Sequence, residues 1–259
     1  MPSLLEFQNI TVARENGKVA LDSISLSIDI GENVAIIGPN GSGKSTLIKT
    51  ITRDLYPLAN PESSLQLMGQ RTWNVFDLRA MLGIVSNDLM SICTREITGR
   101  EAVLSGFFSS IGIWPHQQIT EGMEARAGEL LEFLEVPHLA DRFVSEMSSG
   151  EARRILFARA LVHNPKALIL DEPTNSLDLH AMYSLREAMR KLAQNGTSII
   201  LVTHHLPDII PEIGRVILIK DGRVFRDGRK SQMLSSVALS ELFNVPLELV
   251  ERDGYYHLW

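Results

Sequence analysis

The segment from Val34 to Thr46 restricts the possible folds of this chain more than any other. It opens with four consecutive apolar residues, Val34–Ile37, a run typical of a strand that is buried on both faces of a sheet. A glycine-rich stretch follows, and residues 45–51 then continue as a helix. Similar short buried strands at residues 167–170 and 198–202 flank a helical pattern at residues 180–193. Strands that alternate with helices in this way predict an α/β fold with a largely parallel sheet.

The glycine-rich stretch matches the pattern G-x-x-x-x-G-K-[ST] and extends it by one threonine. Its glycines let the backbone turn N–H groups towards a phosphate chain, which larger residues would obstruct. The following helix adds the positive end of its dipole, Lys44 supplies a charge for the β and γ phosphates, and Ser45 offers a hydroxyl to Mg²⁺. An ordinary turn is the alternative, against which the flanking strand and helix argue. The predicted phosphate loop comprises Gly38, Pro39, Asn40, Gly41, Ser42, Gly43, Lys44, Ser45 and Thr46.

Two carboxylates follow the buried strand at residues 167–170. Ligands of parallel sheets bind at the carboxyl ends of the strands, so Asp171 and Glu172 are placed to reach a bound metal and a water. Asp171 is expected to hold Mg²⁺, directly or through a water, and Glu172 to orient or deprotonate the attacking water. A solvated acidic turn is the alternative interpretation. The phosphate loop in the same chain favours the catalytic one.

The remaining patterns divide the chain further. Residues 25–30 alternate polar and apolar side chains, which is typical of a half-buried strand. From about residue 87 to 147 the sequence contains no convincing buried strand, and this stretch is predicted to be a mainly helical insertion. Residues 216–226 are predicted to form a hairpin around Asp221 and Gly222. The tail, residues 231–259, is predicted to contain two short helices and one final strand.

The phosphate loop and the strand-end Asp-Glu-Pro resemble an ABC (ATP-binding cassette) ATPase. Met147-Ser148-Ser149-Gly150-Glu151 is similar to the signature motif of that family, usually Leu-Ser-Gly-Gly-Gln, and it stands before a helix. Ser176-Leu177-Asp178 matches the D-loop, and Thr203-His204 matches the switch histidine. All the motifs occur in the order of the family, and the resemblance covers essentially the whole chain.

This resemblance implies a P-loop NTPase core with a mainly parallel sheet, an N-terminal antiparallel β subdomain and a helical insertion subdomain. Residues 1–259 would form one ABC ATPase domain, with the core and β subdomain at about residues 1–86 and 152–259 and the helical subdomain at about residues 87–151. The implied cofactors are ATP and Mg²⁺.

The resemblance also implies a head-to-tail homodimer in the ATP-bound state. Ser148 and Gly150 of one subunit would face the γ-phosphate that the loop of the other subunit holds, and Asp178 would belong to the same shared site. A helix N-terminus with a serine cap is suited to an anion. His204 would hydrogen-bond the γ-phosphate or the water. The implied catalytic residues are Glu172, His204 and Lys44.

Several positions depart from the pattern of the family. Asn87 aligns with the Q-loop glutamine that helps to bind Mg²⁺, and it is one methylene shorter. Arg14 aligns with the aromatic residue that stacks on adenine; a guanidinium can also stack on a base, but Arg14 could equally be a solvent-facing charge. In the signature, Met147, Ser149 and Glu151 replace Leu, Gly and Gln, while both phosphate-facing positions are retained.

The sequence favours an ATPase subunit of a membrane transporter, most similar to importers with a separate permease. No apolar run approaches the roughly 20 residues that span a bilayer, and no signal peptide is recognisable, so a cytoplasmic chain attached to the membrane through its permease is expected. The apolar side chains of residues 98–114, namely Val103, Leu104, Phe107, Phe108 and Trp114, could form the docking groove for the permease or the core of the insertion. This stretch and residues 242–246 are similar to ATPases of the iron-chelate, cobalamin and molybdate branch.

A soluble ABC ATPase without a permease, such as an iron–sulfur cluster assembly ATPase, is the alternative function. Translation factors usually carry two cassettes and repair ATPases carry long coiled coils, and this chain has neither pattern. The formal net charge of −6 argues against a nucleic-acid partner. Cys93 is the only cysteine, which excludes an internal disulfide or a thiolate zinc site.

Overall fold

The computed structural model describes residues 3–86, 96–175 and 177–259. The chain forms two compact units. The first comprises Met1–Val75 and Ser198–Trp259, and the second comprises Phe76–Thr197. The first unit therefore contains the predicted phosphate loop and switch histidine, and the second contains the Asp-Glu pair and the signature.

An antiparallel sheet occupies the N-terminal part of the first unit. Its strands are β1 (Ser3–Ala13), β2 (Val19–Asp29) and β4 (Ser64–Leu67), in the order β2-β1-β4. In β2, Leu26 and Ile28 are buried while Ser25 and Ser27 are exposed. This alternation confirms the predicted half-buried strand, because successive side chains of a strand point to opposite faces of the sheet.

A second sheet of the first unit carries the buried strand β3 (Val34–Ile37). It lies between β7 (Ser198–Thr203) and β8 (Arg215–Lys220), and it runs parallel to both. β9 (Arg223–Arg229) pairs antiparallel with β8, which confirms the hairpin predicted around Asp221 and Gly222. All four side chains of β3 are buried, as expected for a central parallel strand. Helix α1 (Lys44–Ile51) follows β3 after the phosphate loop.

The C-terminal tail belongs to the same unit and differs from the prediction in one respect. Short helices α7 (Lys230–Met233) and α8 (Ser236–Phe243) are present, but β10 (Leu249–Arg252) and β11 (Tyr255–Leu258) form a hairpin in place of one final strand. Asp253 and Gly254 form its turn with φ values of 54° and 80°. Asp-Gly favours such left-handed turns, so this dipeptide was the signal for a hairpin.

The second unit combines helices with one parallel strand pair. Between residues 96 and 147 the described elements are helices, with 3-10 turns at Ser105–Phe108, Pro137–Leu139 and Val144–Glu146. This agrees with the predicted helical character of the insertion, while its limits as a subdomain stay a prediction. β5 and β6 pair in parallel, with Leu82 opposite Ala167. The remaining elements are α2 (Val75–Met81), β5 (Leu82–Val85), α3 (Gly99–Leu104), α4 (Glu121–Phe133), α5 (Ser149–Ala160), β6 (Ala167–Asp171) and α6 (Leu179–Gln194).

Among the helices of the described ranges, none combines the length and apolar character that crossing a membrane requires.

Candidate functional site

The phosphate loop of the first unit wraps around the side chain of Lys44. Lys44 is only 7% exposed, and its Nζ donates to the carbonyl oxygens of Gly38 at 2.7 Å and Pro39 at 3.1 Å. The loop thereby holds the ammonium group at its centre, where the group could contact a bound phosphate chain. Ser45, the next residue, is exposed at the start of α1, so its hydroxyl is available to a metal ion.

Two positions of the loop accept no residue larger than glycine. A Cβ on Gly38 would lie 2.2 Å from the carbonyl oxygen of Ile219 and 2.6 Å from Ser42 Oγ. Gly43 has φ of +109°, and a Cβ there would lie 2.6 Å from the carbonyl oxygen of Ala20. All three distances are far below van der Waals contact. The glycines of the sequence pattern are therefore required for packing and for backbone conformation.

The loop is supported from behind by the β8–β9 turn. The N–H of Gly222 donates to the carbonyl of Ser42 at 3.0 Å, and the carbonyl of Gly222 accepts from the N–H of Asp22 at 2.8 Å. A Cβ on Gly222 would lie 2.8 Å from the carbonyl oxygen of Ala20. The sequence patterns identified Gly222 only as part of a turn, and they gave no sign that it supports the loop.

The polar groups of the loop fit a phosphate chain. Ser42 Oγ is buried and has no hydrogen-bond partner among the residues that the structure describes. The N–H of Leu47 bonds to the carbonyl of Gly43, and the N–H groups of the first helical turn before it have no carbonyl of their own helix to bond. These donors and the ammonium of Lys44 form an anion site of the kind found at helix N-termini.

The structure places His204 next to the start of the loop. β3 and β7 are parallel neighbours with Ile37 opposite Thr203, so Gly38 and His204 leave the sheet at the same edge. His204 is exposed. Since ligands of such sheets bind at the carboxyl edge, this is where a switch histidine could meet a phosphate.

The loop that carries His204 is tied together by a buried carboxylate. Asp208 is 1% exposed; its Oδ1 lies 3.2 Å from His205 Nδ1. Its Oδ2 accepts from Thr203 Oγ1 at 3.5 Å, and Thr203 Oγ1 accepts from the N–H of His205 at 2.9 Å. These contacts fix the chain on both sides of His204. Neither Asp208 nor His205 was a sequence candidate.

Arg14 lies in the exposed turn between β1 and β2. Its N–H donates to the carbonyl of Lys18 at 2.9 Å and its carbonyl accepts from the N–H of Gly17, whose φ is 78°. The side chain is exposed. Stacking of Arg14 on adenine stays a prediction.

In the second unit, Asp171 ends the buried strand β6 and Glu172 follows it directly. Glu172 has φ of 49°, which is uncommon for a residue other than glycine. Its carbonyl accepts from the N–H of Asn175 at 3.2 Å and from Arg153 Nη1 at 3.4 Å. The strained conformation is thus held by two donors, as is often found where a side chain must point in a fixed direction.

The signature residues form the N-terminus of helix α5. Ser148 is the N-cap: its side chain accepts from the N–H of Glu151, and the Glu151 carboxylate accepts from the N–H of Ser148 at 2.8 Å. This bond from the Ser148 backbone lowers the pKa of Glu151. Gly150 is buried, and a Cβ there would lie 3.0 Å from the Cβ of Ala181, so glycine allows the signature turn to pack against α6.

Asp178 caps the next helix, because its Oδ1 accepts from the N–H of Ala181 at 2.8 Å. The structure thus brings Ser148, Gly150 and the start of α6 into one region of the second unit. Asn87, the predicted Q-loop residue, lies outside the described residues, as does Ser176 of the D-loop. The described residues contain no group of three or more His, Cys, Asp or Glu side chains that could hold a metal ion.

Comparison with known proteins gives the family. The ABC transporter family model matches residues 21–175. The ABC transporter ATP-binding protein YlmA of Bacillus subtilis is 34% identical, covering 95% of this chain and 93% of that protein. The hemin import ATP-binding protein HmuV of Nitrobacter winogradskyi is 32% identical over 95% of this chain and 90% of its own length.

A solved structure shares the fold. It is a dimeric, post-hydrolysis state of an ATP-binding cassette bound to ADP and Pi, with a TM-score of 0.72 and 27% identity over 87% of this chain and 98% of that chain. The predicted α/β cassette fold is therefore confirmed. With the family model, the relatives and the fold in agreement, this chain belongs to the ABC transporter family as an ATP-binding protein that carries the ATPase domain of that family.

Proposed function

We propose that this chain is the ATPase subunit of an ABC importer and drives a separate membrane permease from the cytoplasmic face. The observation that carries the proposal is the similarity to a hemin import ATP-binding protein over nearly the full length of both chains. That relative is itself named an ATP-binding protein and is covered by this chain over 90% of its length, so we infer that the permease is another polypeptide. A soluble ATPase without a permease is the competing function, and the association experiment below separates the two.

The proposed chemistry in the first unit is to hold the triphosphate. In the nucleotide-bound state Lys44 would exchange the carbonyls of Gly38 and Pro39 for phosphate oxygens, and the N–H groups at the start of α1 would bond the β-phosphate. His204, at the same sheet edge, would hydrogen-bond the γ-phosphate or the attacking water. Phosphoryl transfer depends mainly on such positioning and on electrostatic stabilisation.

The proposed chemistry in the second unit is to activate water. Glu172 is the candidate base, held in a fixed backbone conformation by two donors. Asp171 offers an oxygen ligand of the kind that Mg²⁺ prefers; Ser45 of the first unit and Asn87 are the other two ligands that the sequence predicts. When bound, Mg²⁺ would neutralise charge on the β and γ phosphates.

We further propose a head-to-tail homodimer in the ATP-bound state. The support is the dimeric form of the similar cassette with ADP and Pi. Ser148, Gly150 and Asp178 would then act on the nucleotide held by the loop of the partner subunit. Because Ser148 and the first turn of α5 form a capped, exposed helix N-terminus, they are suited to meet an anion.

The permease would dock on the helical part of the second unit. Phe76, Phe107, Phe108, His116 and Gln117 line a groove of about 550 Å³, and Phe76 is 65% exposed. Trp114 is 51% exposed.

The sequence left open whether the apolar side chains of residues 98–114 form a docking groove or the core, and two of the five candidates, Phe107 and Phe108, line this groove. Val103 and Leu104 are 0% and 1% exposed, so they belong to the core of the unit, and the exposed Trp114 does not line the groove. The side chains of Val103 and Leu104 point inward, because burial of apolar surface stabilises the folded chain. The aromatic side chains that follow are the ones left to contact a partner.

The catalytic assignment is tested with Glu172→Gln. Gln keeps the shape of the side chain but cannot accept the proton of the attacking water, so turnover is expected to fall at least about 100-fold while ATP affinity stays within about twofold. Because ATP is no longer hydrolysed, an ATP-bound dimer should accumulate, and size-exclusion chromatography with light scattering measures it. Normal ATP hydrolysis by this variant would show that Glu172 is not the base.

The docking assignment is tested with Phe76→Glu. A charge in the groove should abolish copurification of a multi-spanning membrane protein with the tagged chain from solubilised membranes, while basal ATP turnover is unchanged. Tyr183→Glu is the matched control, because Tyr183 is 67% exposed on α6 outside the groove. If only soluble scaffold proteins copurify with the chain, the proposal that it is a transporter subunit is wrong. Transport is then measured in proteoliposomes that enclose ATP together with the ATPase subunits. ATP-dependent uptake of substrate into these vesicles indicates an importer, and extrusion indicates an exporter.

A further inference from the structure

A buried arginine lies between the signature turn and the acidic pair of the second unit. Arg153 is on α5, one helical turn after Gly150, and only 4% of its surface is exposed. Fully buried arginines are rare, because removing a guanidinium from water costs much free energy unless its partners offset the loss. Its surroundings therefore indicate what the charge is retained for.

The first contact of Arg153 is with the backbone of Glu172. Arg153 Nη1 donates to the carbonyl oxygen of Glu172 at 3.4 Å, and the N–H of Asn175 donates to the same oxygen at 3.2 Å. Glu172 is the residue with φ of 49°, a conformation that costs a non-glycine residue about 1 kcal/mol or more. A donor on the carbonyl of this peptide stabilises the conformation that directs the Glu172 carboxylate.

The second interaction is electrostatic and involves Asp171. Burial lowers the pKa of Arg153, and the negative charge of Asp171 acts in the opposite direction. The guanidinium stays protonated, because the side chain of arginine does not lose its proton in proteins. Arg153 is therefore a constant donor to the carbonyl of Glu172.

We propose that Arg153 is a positioning residue for the hydrolysis site: its guanidinium fixes the Glu172 peptide and connects it to the first turn of the signature helix. The inference rests on the proposed role of Glu172. If the signature turn moves when nucleotide closes the dimer, the side chain of Arg153 transmits this movement to Glu172 of the same subunit. Arg153 touches the backbone of the base and acts through it.

Three variants test this role of Arg153. Arg153→Met removes the donor to the Glu172 carbonyl, and kcat is expected to fall about tenfold or more while KM for ATP stays within about twofold, because small displacements of a reacting group are costly in rate. Arg153→Lys keeps a charged donor on a side chain that is one atom shorter, so it should recover part of kcat. Arg153→Gln keeps an amide donor but ends two atoms short of the position of Nη1, so its kcat should stay near that of Arg153→Met.

The matched control is Arg154→Met on the same helix. Arg154 lines a separate cavity with His180 and Tyr183, and its substitution makes the same change in charge. It should leave kcat near that of the unsubstituted chain. An unchanged kcat in Arg153→Met would overturn the proposal. Equal losses of kcat in Arg153→Met and Arg154→Met would also overturn it.

Failure of both Arg153→Met and Arg153→Gln to fold would also overturn it, since Arg153 would then be structural. Glu172→Gln is measured in parallel. If that variant is inactive and Arg153→Met is normal, only the positioning role is wrong. If Glu172→Gln hydrolyses ATP normally, it is the proposed base that is wrong.

Discussion

At the scale of single residues, the glycines of the phosphate loop are required for different reasons. Gly38 is enclosed by the carbonyl of Ile219 and the hydroxyl of Ser42, so that any Cβ would overlap them. Gly41 has φ of +80°, but nothing lies within 4 Å of the position of its Cβ. The first is a packing requirement, and the second is a backbone requirement alone.

We therefore expect Gly38→Ala to destabilise the fold by about 3 kcal/mol, the upper range for overpacking, because backbone oxygen atoms cannot move aside. Gly41→Ala should cost about 1 kcal/mol, the strain of a left-handed L-residue. Denaturant unfolding of the two variants and the unsubstituted chain measures the difference. Equal losses of unfolding free energy in both variants would contradict the enclosed position of Gly38.

At the scale of elements, the signature helix α5 has a complete capping box. Ser148 and Glu151 each satisfy a backbone N–H of the other, and Arg142 Nη1 lies 3.4 Å from Glu151 Oε1. A carboxylate at this position also interacts favourably with the positive end of the helix dipole. Glu151 thus completes the capping box at the position where the usual motif has glutamine, and it adds a charge.

This charge makes the contribution of Glu151 depend on pH. The pKa of Glu151 in the folded chain lies below its ordinary value of 4.5. Its stabilisation is therefore fully present above about pH 4.5 and is lost as the pH falls through the lower, folded-state pKa. Relative to Glu151→Gln, the unsubstituted chain should be more stable by about 0.3–1 kcal/mol at pH 7, the usual range for a charge at a helix terminus.

As the pH falls below about 4.5 and then through the lower, folded-state pKa of Glu151, this difference should disappear. Urea unfolding of both proteins across that range measures it, and a difference that grows on acidification would contradict the assignment.

At the scale of the whole molecule, the proposed dimer makes each hydrolysis site a product of two chains. The loop residues come from one subunit and the signature residues from the other. Two defective chains can then complement each other, provided that their defects lie in different motifs. Complementation is a direct measure of this arrangement.

We expect Lys44→Ala and Ser148→Arg to be inactive separately and to recover activity when mixed. In a mixed dimer one site carries both substitutions and the other carries neither, so an equimolar mixture should show about a quarter of the unsubstituted ATPase rate if the sites act independently. Each variant mixed with itself is the control. No recovery at concentrations where mixed dimers form would show that the loop and signature of one chain serve the same site.

Much of the fold could be predicted because local patterns carry it. Four buried apolar residues at Val34–Ile37, the alternation around Leu26 and Ile28, and the Asp221-Gly222 turn each specify an element through short-range physics. The hairpin of the tail was missed although Asp253-Gly254 signals it by the same rule. The sequence left open whether Val103 and Leu104 belong to a docking groove or to the core, and packing places them in the core.

The sequence by itself determined which residues are available for the expected chemistry: a lysine and glycines for phosphate, a carboxylate pair after a buried strand, and a serine cap before the signature helix, all at spacings set by local backbone geometry. The tertiary structure decided what surrounds these residues. The N–H of Gly222 bonds to the loop and Arg153 donates to the carbonyl of Glu172 across long stretches of sequence, while Asp208 is buried beside the residues that flank His204. Burial and long-range hydrogen bonds depend on the folded chain, and neither is encoded in a local pattern.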